Sequence, residues 1–257
     1  MARKLLLLWL CLGFFSAGLM SQPKLIVSKP SSYVPGERID PETWVLDARM
    51  KEVLLLGQLK PETRLVVLVI FGGGFKAIPE EPMRGPLWCQ DSFDDLSVQR
   101  ALVAEFAELP VQFIGVAVPP VFSPERYGFE EDVFLAQGTE TSQFSEAFRS
   151  FVEATEKEVK TSLLPFDTVY YDPKARLTQN RDSADLGPQY GESYPWQGKL
   201  KWHLDPRKYG APTIWLLSST GEVLSEPFWG NDYDSDPPEI NYGFYELKEA
   251  VTGALEQ

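Results

Sequence analysis

The chain has 257 residues, with 37 acidic against 24 basic side chains and a net charge of −13. That balance argues against nucleic acid or an anionic membrane as a partner, since both demand a basic face. Its 44% hydrophobic content, including sixteen phenylalanines, is enough for one elaborated core, and the two cysteines exclude a disulfide-stapled scaffold.

Arg3 and Lys4 precede an apolar run from Leu5 to Met20, with small residues at Ser16, Ala17, Gly18 and Ser21. This is the layout of a secretory signal peptide over residues 1–22, and it is shorter than the roughly 20 apolar residues that span a bilayer. The sequence therefore predicts an exported protein, periplasmic or extracellular, with no stable membrane anchor. Cleavage between Gly18 and Gln22 removes Cys11 and leaves Cys89 as the one cysteine in an oxidising compartment.

Residues 23–42 read as an extended lead-in, and 43–257 as a single domain. Thr43–Leu46 and Val53–Leu56 flank a polar turn and suggest a hairpin. Leu65–Phe71 is a continuous apolar, β-branched run, the mark of a strand buried on both faces. Three successive glycines, Gly72-Gly73-Gly74, then open a loop with Pro79, Pro82 and Pro86, and are read as a flexible turn.

From Asp94, the residues Val98, Leu102, Phe106 and Leu109 recur at helical spacing up to Pro110. Val111–Val118 reads as a second buried strand. Phe144, Phe148, Val152 and Val159 mark an amphipathic helix, and Thr168–Tyr171 a short strand stopped by Asp172-Pro173. Residues 174–209 are polar and aromatic, with Tyr190, Tyr194, Trp196 and Trp202, and read as an insertion. Thr213–Leu217 and Glu222–Phe228 suggest a hairpin, followed by an acidic loop over 229–242. Leu247, Val251 and Leu255 mark a last helix. This order predicts an α/β three-layer sandwich with helices on both faces of a central mixed sheet.

Cys89 lies in the run Trp88-Cys89-Gln90-Asp91-Ser92, just before a predicted helix. There the helix dipole favours a thiolate, while Asp91, Asp94 and Asp95 oppose one, and Arg84 and Lys76 offset them only if the preceding loop folds back. Ser92 is read either as a hydrogen-bond donor to Cys89 or as a helix cap, and Trp88 as a flank of the site or as core.

The Trp-Cys-x-x-Ser run, the Asp172-Pro173 turn, and Tyr209-Gly210-Ala211-Pro212-Thr213 leading to Gly221-Glu222-Val223 resemble the redoxin branch of the thioredoxin superfamily, including its exported thiol-disulfide oxidoreductases. The resemblance implies a thioredoxin-like fold with a cis proline at Pro212 and Ala211 offering its backbone to a partner. It also implies a nucleophile at Cys89. Ser92 stands where that family has its resolving cysteine, and seventeen residues separate Phe71 from Cys89 where the family connection is short.

Two functions follow as expectations. One is monothiol exchange or mixed-disulfide trapping through Cys89 with Ser92, taking a protein or small-molecule thiol or disulfide as partner and no cofactor. The other is a non-catalytic thioredoxin-fold binding module that uses the aromatic insertion 174–209. No metal is expected. His203, the lone histidine, reads as packed between Trp202 and Leu204. The acids Asp232, Asp234, Asp236 and Glu239 miss the spacing of a calcium loop.

Overall fold

A computed structural model describes residues 33–74, 85–118, 146–172 and 211–257. The predicted signal peptide, the loop carrying Lys76 and Arg84, the insertion 174–209 and His203 lie outside these residues. Among the described residues, seven strands form one mixed sheet: β1 (Trp44–Leu46), β2 (Glu52–Leu54), β3 (Leu65–Gly72), β4 (Val111–Val118), β5 (Thr168–Tyr171), β6 (Thr213–Ser218) and β7 (Phe228–Trp229). Their order across the sheet is β2-β1-β5-β4-β3-β6-β7.

β3 pairs parallel with β4 from Leu65↔Val111 to Gly72↔Val118, and antiparallel with β6 from Leu65↔Ser218 to Ile70↔Thr213. β5 extends the parallel side, while β1 and β2 close that edge as the expected antiparallel hairpin. The hairpin turn is fixed by Asp47, whose Oδ1 accepts the N–H groups of Arg49 and Lys51 at 2.8 and 2.9 Å. All eight residues of β3 are buried, which requires cover on both faces of the sheet.

That cover comes from helices α1 (Gln90–Asp94), α2 (Leu96–Glu105), α3 (Glu146–Lys160) and α4 (Phe244–Leu255). α2 packs on α4, and α4 reaches β3. α3 presents Phe148 and Phe151 to the core, with the Phe151 ring edge-on to Tyr171. The lead-in is also structured in its described part. Gly36 N–H donates to Val223 O, Val223 N–H to Glu37 O and Ile39 N–H to Gly221 O, all within 2.9 Å.

Three local expectations need correction. The helix expected from Asp94 to Leu109 starts earlier, at Gln90, breaks at Asp95 and ends at Glu105. Its buried stripe is Leu96, Gln99, Leu102 and Phe106, whereas Leu109 is 47% exposed. The second arm expected over Glu222–Phe228 is broken: Val223 makes an isolated bridge to Leu217, and the chain rejoins the sheet only at Phe228 and Trp229. Pro227, which has no N–H to donate, falls in the gap.

The third correction concerns the glycines, which are no flexible turn. Gly72 ends β3 in full pairing. Gly73 N–H donates to Val118 O at 3.2 Å, and Gly74 N–H donates to Thr155 Oγ1 at 2.8 Å. A Cβ on Gly74 would lie 2.5 Å from the α3 backbone at Ala154, so the triplet is there to let α3 approach the sheet.

Candidate functional site

The connection from β3 to α1 leaves the sheet and returns to it. Gly74 bridges Leu87, and Trp88 N–H donates to Gly73 O at 3.1 Å, so the loop ends meet. Seventeen intervening residues therefore still deliver Cys89 to the end of β3. A Cβ on Gly72 would overlap the Cβ of Cys89, a closeness that only glycine permits. Trp88 is buried, and its Nε1 donates to Val118 O at 2.7 Å. It belongs to the core and pins the residue before the cysteine.

Cys89 is the residue immediately before α1 and is half-buried. Its Sγ donates to the carbonyl oxygen of Ala211 at 3.4 Å, across 122 residues of sequence. The Ala211-Pro212 peptide is cis, and Ala211 is buried beside the start of β6. Cys89, Trp88, Ala211 and Pro212 are thus brought to one end of the sheet.

Ser92 joins them, in a role other than that of a helix cap. It lies in the third position of α1, 2% exposed, and its Oγ accepts the Gly72 N–H at 3.0 Å. The residue before α1, Cys89, makes no side-chain cap. Ser92 instead ties the first helical turn to the end of β3, and its side chain favours the Cys89 thiolate.

The thiol is held in its protonated form. Burial pushes Cys89 up to about 11, with the Asp91 carboxylate adding to the rise. Hydrogen bonds from the Ser92 hydroxyl and from the Ser92 and Asp91 N–H groups only partly offset it.

Sequence reading missed a buried polar network on the far side of the same helix. Asp95, fully buried at the joint of α1 and α2, accepts from Gln99 Nε2 at 2.7 Å, Tyr233 OH at 2.9 Å and Asn231 Nδ2 at 3.4 Å. The usable signal was local: Asp95 and Gln99 fall four apart on the stripe continued by Leu102 and Phe106, so two polar residues occupy a core face. The acidic loop closes on itself. Asp232 Oδ1 accepts the Asp234 and Ser235 N–H groups, and Asp232 bridges Glu239. Among the described residues no group of three or more His, Cys, Asp or Glu side chains converges as a metal set.

No family model matches the chain, and no curated protein matches it. Among solved structures, a protein of Sinorhizobium meliloti 1021 is similar at 11% identity over 88% of this chain and 86% of that one, with a TM-score of 0.45. A secreted Mycobacterium tuberculosis disulfide oxidoreductase homologous to E. coli DsbE is similar at 12% identity over 82% and 96%, with a TM-score of 0.40. A thiol:disulfide interchange protein of the thioredoxin family from Chlorobium tepidum TLS is similar at 12% over 88% and 99%, also at 0.40.

The fold is thioredoxin-like. Its own topology carries that statement: a central strand, a helix, a parallel strand, then two antiparallel strands after a cis proline, and a closing helix.

Proposed function

We propose that this chain captures disulfide partners as mixed disulfides on Cys89, as an exported protein. The observation that carries the reading is the 3.4 Å hydrogen bond from Cys89 Sγ to Ala211 O beside Pro212. The thiol then lies against the backbone at Ala211, just before β6, where an extended partner segment can pair.

In the reaction the Cys89 thiol gives its proton to a solvent base, and the thiolate attacks one sulfur of a partner disulfide. A Cys89–partner S–S bond forms, the partner's own S–S bond breaks, and the departing thiolate takes up a proton. Cys89 then has no proton to donate, so the Ala211 carbonyl is released to accept an N–H from the bound partner. Ser92 has oxygen where a resolving sulfur is needed, so no internal disulfide can expel the partner.

The raised thiol supports trapping over turnover, because a high-pKa thiolate is a poor leaving group when a second thiol attacks the adduct. Release falls to glutathione, another small thiol or a second protein. Export rests on the layout of residues 1–22, and among the described residues no helix is long and apolar enough to cross a membrane.

The test is intact-mass analysis of the mature chain after incubation at pH 8 with a small neutral disulfide. One stable adduct, absent in Cys89→Ser, supports the reading. Labelling of Cys89 only after unfolding overturns it. That outcome selects the second reading, a thioredoxin-fold binding module working through residues 174–209.

A further inference from the structure

The chemistry proposed for Cys89 leaves one fully buried carboxyl unused. Asp95 lies between α1 and α2 and holds the segment that follows β7. Its Oδ1 accepts both Tyr233 OH and Asn231 Nδ2, while its Oδ2 takes Gln99 Nε2. Asn231, itself 4% exposed, carries the hold along the segment. Its Oδ1 accepts the Asn241 N–H at 2.7 Å and the Tyr242 N–H at 3.2 Å, and its Nδ2 donates to Tyr242 O at 3.0 Å. Both ends of the segment are thus fixed through one carboxyl group.

Among the described residues no cation pairs with that group. The titratable groups around it are Tyr233 and Tyr242 from the segment and Asp91 and Asp94 from α1, all acids or phenols. The cations of the two helices behind it are engaged elsewhere: Arg100 of α2 donates to Leu163 O, and Lys248 of α4 pairs with Glu105. A carboxylate taken out of water without a cation is costly, and three neutral donors offset only part of the cost. Burial accordingly raises the Asp95 carboxyl from its ordinary 3.8, with Gln99, Tyr233 and Asn231 opposing the rise. The hydrogen bonding agrees with a bound proton. Gln99 Oε1 and Tyr242 OH are buried beside Asp95 without a partner, and a carboxyl proton supplies a donor where these two acceptors lack one.

We propose that Asp95 is a proton-operated latch: protonated, it keeps the 231–242 segment closed on the α1–α2 joint, and ionised, it lets the segment open to water. The sign follows from burial. A carboxyl raised above 3.8 in the closed state and ordinary in the open one favours closure fully below 3.8. That preference is lost as pH rises through the closed-state value. The segment leaves β7, whose Trp229 pairs with Thr213, so opening frees the chain next to the outer edge of the sheet. The latch is independent of whether Cys89 forms mixed disulfides.

The test takes two readings on the mature full chain. The carboxyl carbon NMR resonance of Asp95, assigned through its own backbone, reports the proton. Native-state exchange of the Asn241 and Tyr242 N–H groups, divided by the intrinsic rate at each pH, reports opening. Both are repeated in Asp91→Asn, because Asp91 titrates beside Tyr233 and its contribution must be removed. Across about pH 4 to 9 the Asp95 carboxyl should titrate above 3.8, and protection should fall in step with it, by up to about tenfold per pH unit for one proton. Asp95→Asn keeps the shape of the protonated group without its charge change, so protection should stay at its acid level and become flat with pH.

The wild-type readings decide the matter even where Asp95→Asn does not fold. A carboxyl already ionised throughout the range, or protection that ignores its titration, overturns the latch. So does a pH slope that survives in Asp95→Asn, or faster exchange in that variant at the acid end, which would mean that closure needs a carboxylate. None of these outcomes touches the adduct test for Cys89, which stands or falls separately.

Discussion

Ser92 accepts the Gly72 N–H at 3.0 Å, joining the first turn of α1 to the last residue of β3. Both groups are buried, so the bond has no water to replace it. Ser92→Ala should lower stability by about 1–3 kcal/mol, the usual cost of orphaning a buried donor. It also removes a hydrogen bond that favours the Cys89 thiolate, so alkylation at pH 8 should slow. Urea unfolding and iodoacetamide labelling check the two effects separately. Ser92→Cys should create an oxidisable pair with Cys89, read as the loss of both thiols under mild oxidant and the gain of disulfide reductase turnover.

A methyl group at position 72 has nowhere to go. It would overlap the Cβ of Cys89 and stand 3.0 Å from the Trp88 ring, so Gly72→Ala must push the helix start away from the strand. Overpacking of this kind costs about 1–3 kcal/mol or more. The displaced thiol should label faster than in the wild type, even as the midpoint of denaturation falls. Slower labelling with unchanged stability would contradict the geometry.

How far these sites were readable from sequence depends on how local their causes are. β3 was legible because it is an unbroken apolar run, and burial on both faces demands that pattern, while β4 and β5 keep it apart from Gln112 and Thr168. Pro212 and Cys89 were legible through short motifs, but their meeting was not: the seventeen-residue gap after Phe71 argued against it, and the Gly74–Leu87 bridge that closes the gap has no sequence signature. The triple glycine was misread because close approach of α3 and conformational freedom leave the same trace in a sequence. The Asp95–Tyr233 bond spans 138 residues, beyond any periodic signal, and only the polar pair on the helix stripe hints at it.

Asp91 gives the acid side of the stability profile a definite sign. Its carboxyl is raised from 3.8 to about 6, burial being the largest cause and Asp232 the next to raise it. The native state therefore binds the proton more tightly than the unfolded chain, and the resulting stability is complete below pH 3.8 and lost as pH rises through 6. Asp91→Asn should then stabilise the protein at pH 7, by roughly 1–2 kcal/mol after allowing for partial solvent screening. It should also flatten the slope between about pH 4 and 6. Thermal melts across that range, wild type against variant, check the sign.

Cys89 governs the alkaline side and its own reactivity. Burial, reinforced by Asp91, raises the thiol from 9.0 to about 11. Only the thiolate is alkylated, so the labelling rate should climb about tenfold per pH unit from 7 to 10 and level off near 11. The same shift is a stability term: full below pH 9, lost as pH rises towards 11, and absent in Cys89→Ser. A labelling plateau below about pH 8.5 would mean an activated thiol, and would remove the argument that its mixed disulfide is slow to leave. Labelling kinetics followed by mass spectrometry from about pH 6 to 11 decides between the two.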